Sequence, residues 1–122
     1  MKLSELSIKN YRSIKSMEDA KISSFQAFIG ENNAGKSNIL HAIEIFLSAG
    51  SGGVTEEDFG VRSDPIVIKM KLDIQSERLR RVWKPYAINN VLILEKHLRI
   101  DDSSGKPTIK HEFHGYRAIP FK

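Results

Sequence analysis

The eight residues Gly30-Glu31-Asn32-Asn33-Ala34-Gly35-Lys36-Ser37 fit G-x-x-x-x-G-K-[ST] at every defined position, and no other feature of the 122-residue sequence restricts the fold as much. At average residue frequencies, a chance match in a chain this long has odds of roughly a few in a thousand. The motif needs a strand before it and a helix after it. Its glycines let backbone N–H groups curl around phosphate oxygens, and the following helix turns the positive end of its dipole toward the anion. Both flanks are present in the pattern. Phe25-Gln26-Ala27-Phe28-Ile29 is a short apolar run bounded by Gly30. From Lys36 onward Ile39, Ile43 and Phe46 recur at i, i+4, i+7 with Leu40 and Leu47 beside them, while His41, Glu44 and Ser48 fall opposite. This helix ends at Gly50. The pattern predicts a site for a nucleoside triphosphate. Gly30, Asn32, Asn33, Ala34, Gly35 and Asn38 belong to the cradle, Lys36 reaches the β- and γ-phosphates, and the Ser37 hydroxyl binds Mg²⁺.

The rest of the chain reads largely as strands. Leu6 and Ile8 alternate with Ser7 and Lys9, and the pattern continues from Ile14 to Ile22, predicting two antiparallel strands ahead of the buried one. Ser48-Ala49-Gly50-Ser51-Gly52-Gly53 is a flexible connection. Beyond it Ile66, Ile68, Met70, Leu72 and Ile74 alternate with Lys69, Lys71 and Asp73, the mark of a half-solvated strand. A short basic helix runs from Glu77 to about Lys84 and stops at Pro85. Leu92, Leu94, Leu98 and Ile100 form a further strand face, residues 101–107 have turn chemistry, and Ile109 to Tyr116 return as its partner. No apolar run approaches the roughly 20 residues of a bilayer crossing. The opening Met1-Lys2-Leu3-Ser4-Glu5 carries charge where a signal peptide is apolar, so a cytoplasmic protein with no membrane partner is expected. The absence of cysteine excludes thiolate metal sites and a cysteine nucleophile. Net charge is +4, unevenly placed: residues 1–61 carry 6 Lys/Arg and 8 Asp/Glu, residues 62–122 carry 13 and 7. The basic second half suits an anionic partner.

Residues 6–14, Leu-Ser-Ile-Lys-Asn-Tyr-Arg-Ser-Ile, together with residues 28–43 around the glycine-rich loop, resemble the N-terminal ATPase lobe of the RecF and structural-maintenance-of-chromosomes class of ABC-type ATPases. Within that class the sequence is most similar to the OLD family of ATP-dependent nucleases. The specific likeness covers residues 1–47, and Glu57-Asp58-Phe59 before a strand adds to it. The resemblance implies an α/β P-loop NTPase fold with an antiparallel β subdomain. Residues 1–50 form the P-loop core and 51–122 an antiparallel β and helical extension, together the N-terminal part of one ATPase domain of a longer protein. It also implies ATP with Mg²⁺ as cofactors, a homodimeric or intact second lobe as partner, and DNA as substrate of the full protein. In this class the Asn-aromatic-Arg segment packs beside the nucleotide, which adds Asn10 and Arg12 to the candidate contacts. Gln75, at the end of the long strand, is the candidate for a glutamine sensing Mg²⁺.

Turnover in such a class needs a Walker B carboxylate, a catalytic acid beside it and a signature motif from a second lobe. Val91-Leu92-Ile93-Leu94-Glu95 imitates a Walker B strand, but Lys96 stands where the catalytic acid belongs. Leu47 to Gly53 only loosely matches a signature motif and directly follows the P-loop helix. No catalytic residue is therefore assigned, and the 122 residues are expected to bind ATP without turning it over. His111 and His114 lie three apart on a strand, on opposite faces, and cannot share one metal ion. Arg78, Arg80, Arg81 and Lys84 with Trp83 combine charge and an aromatic as single-strand platforms do, and Lys96, Arg99, Lys106, Lys110 and Arg117 share the excess charge. A P-loop small-molecule kinase, which requires a parallel sheet of repeated βα units, and a non-catalytic DNA-binding module are the alternatives.

Overall fold

The computed structural model describes residues 2–21, 34–85 and 87–115. The expected strand at Phe25–Ile29 and the loop residues Gly30, Asn32 and Asn33 lie outside them, as does Arg117. Strand β1 (Lys2–Tyr11) turns at Arg12-Ser13 into β2 (Ile14–Lys21), and helix α1 (Ala34–Leu47) carries the end of the glycine-rich motif. A short 3-10 turn (Glu56–Asp58) precedes β3 (Ile66–Asp73), followed by the basic helix α2 (Glu77–Trp83), β4 (Ala87–Ile88), β5 (Val91–Asp101) and β6 (Thr108–Gly115). The sheet order is β2-β1-β3-β5, with β4 and β6 both pairing with the far edge of β5. Every pairing among the described strands is antiparallel. Among the described residues the architecture is an antiparallel sheet covered on one face by a helix: the antiparallel β part of the expected fold is present, and α1 is what these residues show of its α/β part. Strands from both sides of residue 50 share this one sheet, because β1 pairs with β3.

Register explains which side chains meet. Leu6 lies opposite Met70 and Ile8 opposite Ile68, and across the next ladder Ile66 faces Leu98 and Ile68 faces Lys96. With a two-residue period these positions share one face. On it Leu6, Ile8, Ile66, Ile68, Met70 and Leu98 pack against Ile39, Ala42, Ile45 and Phe46 of α1, closed off by Tyr11, Val54 and Phe59. Fully burying such a side chain contributes about 1.5–3 kcal/mol relative to leaving it in water. The buried stripe of α1 is narrower than the sequence pattern indicated. Ile43 is half-buried, while Leu40 and Leu47 are exposed. The other face of the sheet is charged and internally paired, with Lys9 on Glu18, Lys69 on Asp19, and Lys71 on both Glu5 and Asp19.

Hydrogen bonds near both ends of α1 give its course. Asn38 bonds into the β1–β2 turn, and the carbonyls after Phe46 receive a side chain from β5. The helix therefore crosses the sheet from the β1–β2 turn toward β5. No helix among the described residues is long and apolar enough to cross a membrane.

Candidate nucleotide-binding site

The first turn of α1 holds Ala34, Gly35, Lys36 and Ser37, the second half of the glycine-rich motif, in the helical conformation that its chemistry requires. Ser37 is exposed and Asn38, its neighbour, is buried. An asparagine there would be costly without partners, because a buried amide left unpaired loses about 1–3 kcal/mol. Both ends of the amide are satisfied. Its Oδ1 accepts from Arg12 Nη1 at 3.1 Å, and its Nδ2 donates to Ser13 Oγ at 3.1 Å. Arg12 extends the tie in two further directions. Its Nε donates to Asp58 Oδ1 at 2.9 Å, and Nη1 lies 3.1 Å from His41 Nδ1. The Asp58 hydrogen bond raises the Arg12 pKa further, so the cation is permanent. One guanidinium thus joins the β1–β2 turn, the motif helix and the 3-10 turn.

Asn10 anchors the adjoining loop. Its Nδ2 donates to the carbonyls of Val61 at 2.9 Å and Asp64 at 2.8 Å, and its Oδ1 accepts from the Val61 amide. Asn10 and Arg12 both adopt positive φ, +60° and +52°, which asparagine tolerates better than most residues. Gly60 fits under this amide because it has no side chain. A Cβ there would approach Asn10 Oδ1 to 2.9 Å. A cavity of about 500 Å³ opens beside the cluster, lined among others by Lys9, Asn10, Arg12, Ser13 and Lys15. The structure therefore brings Ser37, Asn38, Arg12 and Asn10 into one neighbourhood. Gln75 is not part of it. It is exposed, past the Asp73 end of β3, which pairs with the start of β1, whereas Arg12 follows the end of β1. The two residues are separated by about the length of the ten-residue β1, roughly 33 Å at 3.3 Å per residue.

Lys96 departs most from its sequence reading. It is not one of the solvated hairpin cations. Its side chain is fully buried on the α1 face, with Nζ 2.7 Å from the Ile45 carbonyl, 3.0 Å from both the carbonyl and the hydroxyl of Ser48, and bonded to the Gly50 carbonyl. These carbonyls lie at or just past the end of the helix, the negative end of its dipole, and those of Ile45 and Gly50 also accept from Ser48. The Phe113 ring lies 4.9 Å from the ammonium. Burial pushes the Lys96 pKa below the ordinary lysine value. Glu95, one residue earlier, points to the opposite face and bonds His97 at 2.8 Å. The segment from Leu47 to Gly53 is the helix end that Lys96 fastens. His111 pairs with Leu98 and His114 with Glu95, so the two histidines do lie on opposite faces. No group of metal-ligating side chains occurs among the described residues.

The residues missed by sequence reasoning were Ser13, His41 and Asp58, the partners of Arg12 and Asn38. Their contacts span 25 to 46 positions and leave no local signal. Lys96 did leave one, as the single lysine in the apolar register Leu92, Leu94, Leu98, Ile100.

A family model described as "AAA ATPase domain" matches residues 1–116. The Old nuclease of Escherichia phage P2 is 29% identical over 114 residues, covering 87% of this chain and 19% of that protein. An uncharacterised protein of Methanocaldococcus jannaschii is 42% identical over 45 residues, 37% of this chain and 20% of that protein. The chain spans about a fifth of the length of these relatives.

Proposed function

The chain belongs to the AAA ATPase domain family as an ATPase lobe of OLD type, and on that premise we propose that it binds Mg²⁺-ATP at the start of α1 and controls DNA cleavage by a longer protein. The observation that carries the reading is the placement of the motif. Lys36 and Ser37 stand in the first turn of a helix whose next residue, Asn38, is bolted to Arg12 and Ser13. Such a helix start is held rigidly enough to present backbone amides and a dipole to phosphates. In this reading Gly30, Asn32, Asn33, Ala34 and Gly35 form the cradle, Lys36 reaches the β/γ-phosphates and Ser37 holds Mg²⁺. Bound Mg²⁺ would supply charge neutralisation on the phosphates. Arg12 and Asn10 line the adjoining cavity and shape its wall. The distance of Gln75 from this neighbourhood favours Ser37 as the metal residue.

The likeness to a protein named a nuclease supports DNA as the substrate of the whole protein, with a second copy or the rest of the ATPase domain completing the site. The antiparallel sheet argues against a small-molecule kinase, whose fold requires parallel βα units. Calorimetric titration of the chain with ATP, with and without Mg²⁺, tests the assignment. Lys36→Ala is expected to abolish Mg²⁺-ATP binding, because it removes the side-chain cation aimed at the β/γ-phosphates. Unchanged affinity would reject the site.

A further inference from the structure

The turn between β4 and β5 and the short helix α2 enclose a groove of about 270 Å³ lined by Arg80, Arg81, Lys84, Ala87, Asn89 and Asn90. Its walls are braced by one residue. The buried Ile74 accepts a hydrogen bond at its carbonyl from Arg80 Nε at 3.1 Å, and its amide donates to the Asn90 carbonyl at 2.9 Å. Helix and turn are thus held apart at a fixed spacing. Asn89 and Asn90 both adopt positive φ, +51° and +62°, the conformation a two-residue hairpin turn demands at both central positions. Their side chains remain available as donors at the groove mouth, since no hydrogen bond engages them among the described residues.

Charge sets this groove apart. Residues 76–90 hold four Lys/Arg against one Asp/Glu. Lys9, Lys69 and Lys71 on the sheet, and Arg12 and Arg62 beside the loops, each face a carboxylate. Among the described residues none pairs with Arg80, Arg81 or Lys84. Arg81 and Lys84 are three positions apart, so they neighbour each other along one side of the helix. Cations in a last helical turn do complement the dipole, but that leaves unexplained why three of them converge on two free amides. Val82 and Ile88, on the same two elements, are exposed as well.

We infer that this groove is a docking site for the phosphate backbone of a nucleic-acid strand, with Arg81 and Lys84 each neutralising a phosphate and the asparagine amides bonding phosphate or sugar oxygens. The inference rests on DNA being the partner of this protein, but not on ATP binding. It names the surface that the strand touches.

Fluorescence anisotropy of a labelled oligodeoxythymidine, titrated with the 122-residue chain over a series of salt concentrations without nucleotide, tests it. Losing two phosphate contacts should make the slope of log K against log salt shallower by about 1.4, at roughly 0.7 per contact on a single strand. Arg81→Gln with Lys84→Gln is expected to show that change. Arg99→Gln with Lys110→Gln, a pair facing each other across β5 and β6 with the same loss of charge, should leave the slope nearly unchanged. Circular dichroism confirms that both variants fold. Equal slopes for the two variants would overturn the groove while leaving DNA as partner. No binding by the unmutated chain would overturn both. Groove-dependent binding to phosphatidylserine vesicles in place of the oligonucleotide would also overturn it, in favour of a lipid surface.

Discussion

Replacing Lys96 by methionine keeps most of the side-chain volume and removes an ammonium that touches four acceptors. With three protons, the ammonium satisfies at most three of them at once. The bond to the Ile45 carbonyl is fully buried, whereas those to Ser48 and Gly50 are only partly so. The Ile45 carbonyl keeps the Ser48 amide at 3.3 Å and the Ser48 hydroxyl at 2.9 Å as donors, so the substitution strands no carbonyl outright; it removes a net contribution of about 1 kcal/mol from the lost bonds, those at Ser48 and Gly50 being partly recovered by water. Loss of a cation at the helix C-terminus adds up to about 2 kcal/mol in a buried geometry. Against this, the variant no longer has to desolvate a charge, and the depressed pKa of Lys96 shows that this cost exists. The net expectation is a loss of about 1 kcal/mol, read as a fall in Tm of roughly 3–5 °C for a domain of this length. Thermal melting and urea titration with an unchanged m-value would measure it.

A pH arm isolates the charge. The unfolded lysine has its ordinary pKa and the folded one a lower value, so between the two the unfolded chain binds the extra proton. The stability contributed by this residue therefore rises with pH across that window. The gap between the unmutated chain and the variant should widen as pH rises toward the ordinary lysine value. An unchanged or higher Tm for Lys96→Met at neutral pH would show that desolvation outweighs the capping bonds and would refute the reasoning.

Two further outcomes follow, one from the supports of the site and one from the charged face of the sheet. Asn10→Ala should cost about 1–2 kcal/mol through lost bonds to the loop at residues 60–64, and Gly60→Ala should destabilise because its Cβ meets the same amide; a double-mutant cycle that finds the two costs additive would deny that Asn10 is what Gly60 accommodates. Asp19 has a lowered pKa, chiefly through its hydrogen bond with Lys71, so Asp19→Asn should cost stability at neutral pH that disappears as the pH falls through that lowered value. The side chain is half exposed, and the effect should stay below about 1 kcal/mol in urea titrations; a loss that persists at the acid end would place the contribution elsewhere.

The parts of this fold legible in the sequence are those with a strong local period. Ile66, Ile68, Met70 and Leu72 recur at every second position and form β3, and the stripe at Ile39 and Phe46 announced α1. Leu40 and Leu47 were drawn into that stripe by their apolarity alone, yet the helix turns them to the surface, because the sheet offers partners to only one narrow face. The two-residue strand β4 was too short to show a period, and the turn at Asn89-Asn90 beside it emerges from the structure, where both residues adopt positive φ. The site divides the same way. The motif residues are contiguous and were read directly. Arg12, by contrast, was recognised only through resemblance, and what it grips, Asn38 and Asp58, lies far along the chain.

Geometry around Glu95 and Lys96 leads to the expectation that the 122 residues hydrolyse ATP negligibly. An acid that orients the attacking water has to stand near the γ-phosphate, hence near the N-terminal turn of α1. Glu95 fails because it points to the sheet face away from α1 and bonds His97. Position 96 fails for a second reason. It does face α1, but at Ile45 to Gly50, about 15 Å along the helix from Ser37 at 1.5 Å per residue, where the dipole is negative and would repel a carboxylate. A lysine is the residue that end of the helix requires. Asp58 lies nearer the start of α1 but its carboxylate is engaged by Arg12 at 2.9 Å, away from any bound water. Removing one well-placed transition-state donor typically costs about a hundredfold to a thousandfold in rate, and the described residues supply neither a water-orienting acid nor the charge stabilisation of an opposing lobe. Phosphate release clearly above background from the purified chain, abolished by Lys36→Ala, would show that one of these carboxylates reaches the nucleotide after all.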